Sequence, residues 1–235
     1  MRHLREALRL PGWVAVTTMP VAGAEAELAQ DQDAAPRWHA ARWTAMSAGM
    51  RDCRRREFVA GRLCAQRALA ASGAPAGGCL PRDGDGLPVW PSGWVGCISH
   101  SEDWAIAATA PSSRIRGLGI DIQALIDDSV VGLTESMVAT SEEMRCLLET
   151  MDRRHAFTLL FSAKEALYKA LYPALRTYQD FDAARVIRVH DGSIELELTR
   201  SWDAYRWLSD TRVCVSYAWS GNMVVTSMAD HFRQP

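Results

Sequence analysis

The run Phe161-Ser162-Ala163-Lys164-Glu165-Ala166-Leu167-Tyr168-Lys169 sets charged residues into an apolar stretch, Ala156 to Leu171, that reads as one helix closed by Pro173. At about 100° per residue, Phe157, Leu160, Phe161, Leu167, Tyr168 and Leu171 form one stripe. Lys164 falls inside that stripe, where an ammonium is costly without a partner. Glu165 and Lys169, spaced i,i+4, share one of its flanks. Charges on the packing side of a helix require something polar opposite, and an anion or a metal ion is the expected partner.

Other residues could meet such a ligand. In Gly119-Ile120-Asp121-Ile122-Gln123 strand alternation puts Asp121 and Gln123 on one face and the isoleucines on the other. Joined to Glu165, Asp121 would supply two oxygen ligands, enough for Mg²⁺ when phosphate and water complete the octahedron. A strand-end aspartate in a turn is the plainer alternative. Ile98-Ser99-His100-Ser101 contains no GxSxG elbow, which argues against a hydrolase nucleophile. A strand-end Ser-His pair can donate hydrogen bonds to a phosphate, or the histidine can simply cap a turn. The basic residues Arg54, Arg55, Arg56, Arg62 and Arg82 would suit phosphates, although such sets are more often solvated faces. No Walker loop and no GxGxxG is present, and Gly117-x-Gly119 is too short to cradle a dinucleotide. Any nucleotide would be held by side chains.

These groups must be positioned by a chain of 235 residues, long enough for one large domain or two small ones. With 23% charged and 48% hydrophobic residues it has ordinary globular composition. A net charge of -2 gives no reason to expect nucleic-acid binding. No apolar run approaches a membrane span. The opening Met1-Arg2-His3-Leu4-Arg5-Glu6 is too polar for an export signal, so a soluble cytoplasmic protein is expected. The cysteines at 53, 64, 79, 97, 146 and 214 show no CxxC spacing, which argues against zinc and for reduced, mostly buried thiols.

Along the chain, Gly12 to Thr18 reads as a strand, and residues 22 to 36 as a surface helix or loop. Helices are expected over Trp38–Met50 and Glu57–Ala71, then turns at Gly77-Gly78, Asp83 to Gly86 and Pro88 to Pro91. Val95–Ser99 with Trp104–Ala110 reads as a hairpin, Arg116–Gln123 as a strand, and Ser141–Leu148 as a helix capped by Ser141. Strands near Val186–Val189 and Ile194–Leu198 follow the central helix, and Val213–Trp219 with Met223–Met228 forms a last hairpin. Cys97-Ile98-Ser99-His100 echoes Cys214-Val215-Ser216-Tyr217, and a helix precedes each hairpin. Two related α+β halves joined near residues 111 to 117 would explain the echo; chance similarity of apolar strands is the alternative. A seam between halves is a natural place for a site.

Taken together, the chain resembles the 4′-phosphopantetheinyl transferases of the long, two-lobed Sfp type, nearest the enterobactin-associated branch. The matching residues are Gly119-Ile120-Asp121-Ile122 and Phe161-Ser162-Ala163-Lys164-Glu165-Ala166-Leu167-Tyr168-Lys169, with Gly61-Arg62-Leu63-Cys64-Ala65, Leu87 to Pro91 and Ile98-Ser99-His100 upstream. The resemblance implies a pseudo-twofold α+β fold, each lobe a mainly antiparallel sheet on a long helix. The lobes would divide as 1–113, contacting the adenosine phosphates of coenzyme A, and 114–235, carrying the metal site and catalytic helix. The implied reaction transfers the phosphopantetheine arm of coenzyme A to a serine of an apo carrier protein, leaving 3′,5′-ADP. By the same resemblance, Asp121 and Glu165, with Gln123, would hold Mg²⁺ or Mn²⁺. Glu165, or a metal-bound water, would take the serine proton, and Lys169, with Lys164 beside it, would meet the pyrophosphate and protonate the leaving ADP oxygen. Arg54, Arg62, Arg82, Ser99 and His100 would hold the adenosine phosphates. Both lobes lie in one chain, so a monomer is expected, with the carrier docking near residues 125 to 150 and a role in siderophore, nonribosomal peptide or polyketide synthesis.

Two departures bear on this. Many members carry Glu where Gln123 stands, so the site has one negative charge fewer and metal affinity is expected to fall. Some carry a basic residue where Leu87 stands, for which Arg82 can substitute. The competing reading is a non-catalytic module that binds coenzyme A or a carrier protein with a weakened metal site. A hydrolase built on Ser99 and His100 ranks last, because no third catalytic partner is evident.

Overall fold

The computed structural model describes residues 2–33, 43, 45–75, 80–101 and 103–231. Part of the helix expected over Trp38–Met50, the Gly77-Gly78 turn and Cys79 lie outside the described residues. A short helix α1 (Arg2–Ala7) leads to β1 (Ala15–Pro20), α2 (Ala24–Asp33) and the 20-residue α3 (Asp52–Ala71). The hairpin β2 (Trp94–His100) and β3 (Trp104–Pro111) completes a three-stranded antiparallel sheet in the order β1-β3-β2. Next come β4 (Ile115–Ala124), α4 (Asp128–Val138), α5 (Ser141–Leu148) and the 23-residue α6 (Arg153–Leu175). Strands β5 (Ala184–His190), β6 (Ser193–Leu198), β7 (Arg212–Ser220) and β8 (Met223–His231) join β4 in a five-stranded antiparallel sheet ordered β4-β8-β7-β6-β5.

The sequence echo has a topological counterpart. Each half runs strand, long helix, hairpin, and in each the hairpin's second strand pairs with the opening strand: β1-β3-β2 in one, β4-β8-β7 in the other. The second half inserts the β5–β6 hairpin between its helix and its closing hairpin. Helix α3 packs Val59, Leu63, Cys64 and Ala68 against Ala105 and Ala107 of β3. Helix α6 packs Phe157, Leu160, Ala163 and Leu167 against strands that include Val215, Val224 and Met228. A third cluster fills the seam, where Leu8, Leu10, Val14, Val16 and Ile106 meet Leu118, Ile120, Ile122 and Val225. The N-terminal segment thus packs on both halves.

Strand β4 alternates as expected. Leu118, Ile120 and Ile122 face the seam, whereas Gly117, Gly119 and Asp121 face α6. A Cβ on Gly119 would collide with the carbonyl oxygen of Ala166, and one on Gly117 with that of Ala170. Going up the strand two residues at a time, Gly117 meets Ala170, Gly119 meets Ala166 and Asp121 meets Ser162, one helical turn at each step. The outer edge of β4 is covered by β2 side chains: Cys97 Sγ receives the Ile120 N–H at 3.3 Å and Ser99 Oγ that of Ile122 at 3.4 Å.

Several boundaries differ from expectation. Helix α3 begins at Asp52 and so carries Arg54, Arg55 and Arg56; β1 begins at Ala15. The N-cap of α5 is Thr140, in a capping box with Glu143, because its side chain accepts the Glu143 N–H while Glu143 accepts the Thr140 N–H. Pro173 lies inside α6: losing one N–H does not stop the helix, which ends where Arg176 adopts φ 53° and its N–H bonds to Tyr172. Among the described residues no helix is long and apolar enough to cross a membrane.

Candidate active site

Asp121 stands on β4 at the seam, only 4% exposed, and both of its oxygens are engaged. Oδ2 accepts from Ser162 Oγ of α6 at 2.7 Å, and that hydroxyl lies 2.9 Å from Thr226 Oγ1 on β8, the cross-strand partner of Asp121. Oδ1 accepts from Ser99 Oγ of β2 at 2.7 Å and from Lys169 Nζ of α6 at 2.5 Å. Three hydrogen bonds from two elements, α6 and β2, therefore hold one carboxylate, which defrays the cost of burying it.

Lys169 Nζ also donates to Ser99 Oγ at 3.1 Å and lies 3.7 Å from Glu165 Oε2. Burial opposes the charged form of Lys169, but Asp121 and Glu165 outweigh it and raise its pKa above the ordinary lysine value. Burial raises the pKa of Glu165, an effect that the Lys169 ammonium partly offsets. Two carboxylates from different elements thus converge on a single cation. That is the donor arrangement a hard divalent ion needs, so the residues fit such an ion, with solvent or phosphate oxygens filling its other positions. Among the described residues no group of three or more His, Cys, Asp or Glu forms a metal cluster.

A cleft of about 400 Å³ opens from Glu165 and Lys169 toward the first half, where Arg54, Arg62, Arg82 and His100 line it. Arg62 and Arg82 flank the ring of Phe58, with guanidinium carbons 4.9 and 5.2 Å from its centroid. Arg54 meets His100 Nε2, and since arginine can only donate, the His100 proton sits on Nδ1, 3.5 Å from Glu57 Oε2. Burial, and then the Arg54 charge, lowers the His100 pKa. At the rim, Arg176 joins the end of α6 to the opposite half, reaching Asp83 at 2.8 Å and Asp85 at 2.6 Å.

The structure brings Glu165, Lys169, Arg54, Arg62, Arg82 and His100 to this cleft, sets Asp121 behind Lys169 rather than in the lining, and relocates three other residues. Lys164 does not lie beside Lys169. It is buried and donates to Glu143 Oε1 at 2.8 Å and to the carbonyls of Val138 and Phe181 at 2.9 Å, so its required partner is a protein carboxylate. Burial lowers its pKa, with Glu143 acting in the opposite direction. Ser99 spends its hydroxyl on Asp121 and so serves the carboxylate rather than an open phosphate position. Gln123 shares the Asp121 face by alternation, but its amide donates to the Ala124 carbonyl at 3.1 Å. Sequence reasoning missed Ser162, Thr226, Glu57 and Arg176. Of these only Ser162, one turn before Ala166 in the charged motif, gave a usable signal.

The 4′-phosphopantetheinyl transferase N-terminal domain model matches residues 43–110, and the 4′-phosphopantetheinyl transferase superfamily model matches residues 117–220. The chain is 35% identical over 145 residues to 4′-phosphopantetheinyl transferase Npt of Nocardia iowensis, a match covering 60% of this chain and 63% of Npt, which is less than two thirds of that relative. It is 32% identical over 184 residues to enterobactin synthase component D of Salmonella typhi, covering 77% of this chain and 74% of that protein. Among solved structures, Thermotoga maritima holo-[acyl-carrier-protein] synthase aligns over 51% of this chain and 66% of its own, at 20% identity and a TM-score of 0.40.

Proposed function

This chain belongs to the 4′-phosphopantetheinyl transferase family, and from that membership we propose that it moves the 4′-phosphopantetheine arm of coenzyme A onto a serine hydroxyl of an apo carrier protein, releasing 3′,5′-ADP. The observation that carries this reading is the cleft itself. At one end stand Glu165 and Lys169, with Asp121 bonded to Lys169 just behind the cleft wall; at the other stand Arg54, Arg62, Arg82 and His100. That polarity suits a ligand with a pyrophosphate at one end and a further phosphate at the other.

Asp121 and Glu165 would hold Mg²⁺, or Mn²⁺, which when bound neutralises charge developing on the transferred phosphoryl group. The serine oxygen forms the new P–O bond as the bond to the bridging pyrophosphate oxygen breaks. Glu165 takes the hydroxyl proton. The Lys169 ammonium faces the cleft and donates to the departing oxygen of 3′,5′-ADP. Ser99 and Ser162 keep Asp121 fixed meanwhile. Arg54, Arg62, Arg82 and His100 anchor the adenosine phosphates and so align the pyrophosphate.

The carrier would approach over residues 125–150, where α4 exposes Leu133 (80%) and Met137 (72%) beside the second half. One chain supplies both walls of the cleft, in keeping with a monomer; a cytoplasmic role in siderophore, nonribosomal peptide or polyketide synthesis is proposed from family membership alone. The alternative, a binding module without turnover, draws its support from Gln123, a neutral residue whose amide donates to the Ala124 carbonyl. Intact mass of an apo carrier incubated with this protein, coenzyme A and Mg²⁺ tests the reading. A gain of one phosphopantetheine, lost with chelator and lost by more than about a hundredfold in rate in Glu165→Ala, is expected. Full turnover by Glu165→Ala would overturn the assigned roles. Coenzyme A binding without any product would favour the binding module, with Gln123→Glu as its rescue.

A further inference from the structure

Every partner of Asp121 can be ranked by its freedom to leave. Ser162 is fully buried behind the carboxylate on Oδ2, and Ser99, 4% exposed, is fixed on β2. Lys169 alone holds Oδ1 from a flexible four-carbon stem, its side chain 27% exposed and opening into the cleft. The same ammonium lies 3.7 Å from Glu165. Any cation that binds both carboxylates must therefore take the place of Lys169.

We infer that Lys169 is a built-in counter-cation for the Asp121–Glu165 pair, and that a divalent ion binds by displacing its ammonium into the cleft. The inference rests on the reading of Asp121 and Glu165 as metal ligands. Repulsion between the arriving ion and the ammonium drives Lys169 off the carboxylates, and the cleft gives it one direction to go, toward bound phosphate. Metal binding and presentation of Lys169 to an anionic ligand are then a single event. By linkage, an anion that draws Lys169 away tightens metal binding by the same factor. In the absence of metal, Lys169 keeps the buried Asp121 carboxylate and the half-buried Glu165 carboxylate from facing each other unpaired.

The probe is Mn²⁺ alone, titrated by calorimetry into wild type, Lys169→Met, Arg54→Met and Asp121→Asn. Lys169→Met should bind Mn²⁺ about tenfold or more tightly, the scale of one charge-assisted hydrogen bond no longer broken. Arg54→Met removes a positive charge from the same cleft without touching Asp121, and its affinity should stay near wild type. Asp121→Asn should lose binding. In the wild-type protein, the Lys169 amine should acetylate faster with acetic anhydride once Mn²⁺ is present, as read by peptide mass spectrometry. Equal affinity in wild type and Lys169→Met, or an equal gain in Arg54→Met, overturns the displacement while leaving the metal site intact. Mn²⁺ binding that is absent, or indifferent to Asp121→Asn, overturns the metal reading and the inference with it. Should Lys169→Met fail to fold, unchanged Lys169 reactivity in wild type overturns the displacement by itself.

Discussion

Lys164 and Lys169, five positions apart on α6, end in two separate ion pairs: Lys164 Nζ lies 2.8 Å from Glu143, Lys169 Nζ 2.5 Å from Asp121. Five residues turn an α-helix through about 140° beyond a full revolution, so the two ammonium groups leave it on different flanks. The Lys-Glu-x-x-x-Lys motif therefore combines a lysine that holds the fold together with one that serves the cleft.

Removing the structural lysine should be felt in stability. Glu143 is 2% exposed and also accepts from the Val186 N–H and from Thr140, so Lys164→Met leaves a buried carboxylate without its counter-charge. Breaking such a pair costs about 3–5 kcal/mol, a fall of roughly 6–20 °C in Tm for a chain of this size. Calorimetry should show that fall while coenzyme A binding in the cold survives. The double variant Lys164→Met/Glu143→Leu should recover part of it. A Tm unchanged in Lys164→Met would mean the pair is dispensable.

Ser162→Ala should act on the proposed metal site without touching it. Loss of the hydroxyl frees Asp121 Oδ2 to rotate, and the Mn²⁺ concentration for half-maximal binding should rise about 10–100-fold. Circular dichroism should be unchanged. Unaltered metal binding would show that Ser99 and Lys169 alone orient the carboxylate.

Two glycines should differ sharply on substitution. Gly119→Ala presses a methyl group into the backbone carbonyl of Ala166, which cannot move without shifting α6, so a loss of about 3 kcal/mol or more is expected. Gly61→Ala meets only Ile98 Cγ2 at 2.7 Å, a methyl of a stiff β-branched side chain that must shift but is not main chain, so the loss should be smaller. Chemical denaturation of both variants compares them directly.

The Arg176 bridge carries a signature in pH and salt. Burial disfavours the Asp83 carboxylate, but the bond from Arg176 and the Leu87 N–H outweigh it and hold its pKa below the ordinary aspartate value. A depressed carboxylate contributes stability that is complete above its unfolded pKa and is lost as pH falls through the folded one. The Tm difference between wild type and Arg176→Ala should hence stay constant from about pH 5 to 8, shrink in acid below that range, and shrink with added salt. A difference that changes between pH 5 and 8 would point to some other titrating group.

Alternation and helical spacing made much of the site legible. They separated Asp121 from Ile120 and Ile122 and put Glu165 and Lys169 on one flank, because both features depend only on local geometry. The destination of Lys164 was not legible: periodicity gives the angle at which a side chain leaves, but its partner came from another helix, at Glu143. Ser99 misled for a related reason, since the strand pattern placed it but could not show that β4 would cross beside it. Helix α4 went unread because Val130, Val131, Gly132 and Thr134 are weak helix formers, and its helicity rests on burying Val131 and Val138. The two-strand echo was readable as apolar runs, whereas the shared strand order behind it appeared only in the fold.

Gly117 and Gly119 bring the main chain of β4 against the main chain of α6, so the spacing between Asp121 and the turn bearing Glu165 is gauged by peptide groups. A gauge of that kind is indifferent to most changes in the surrounding hydrophobic residues. The first half's arginines, the rim at Arg176 and the exposed face of α4 can diverge toward new ligands while the two acidic groups keep their separation. Selection or design aimed at a different ligand could rework those surfaces freely, provided the two glycines are left untouched.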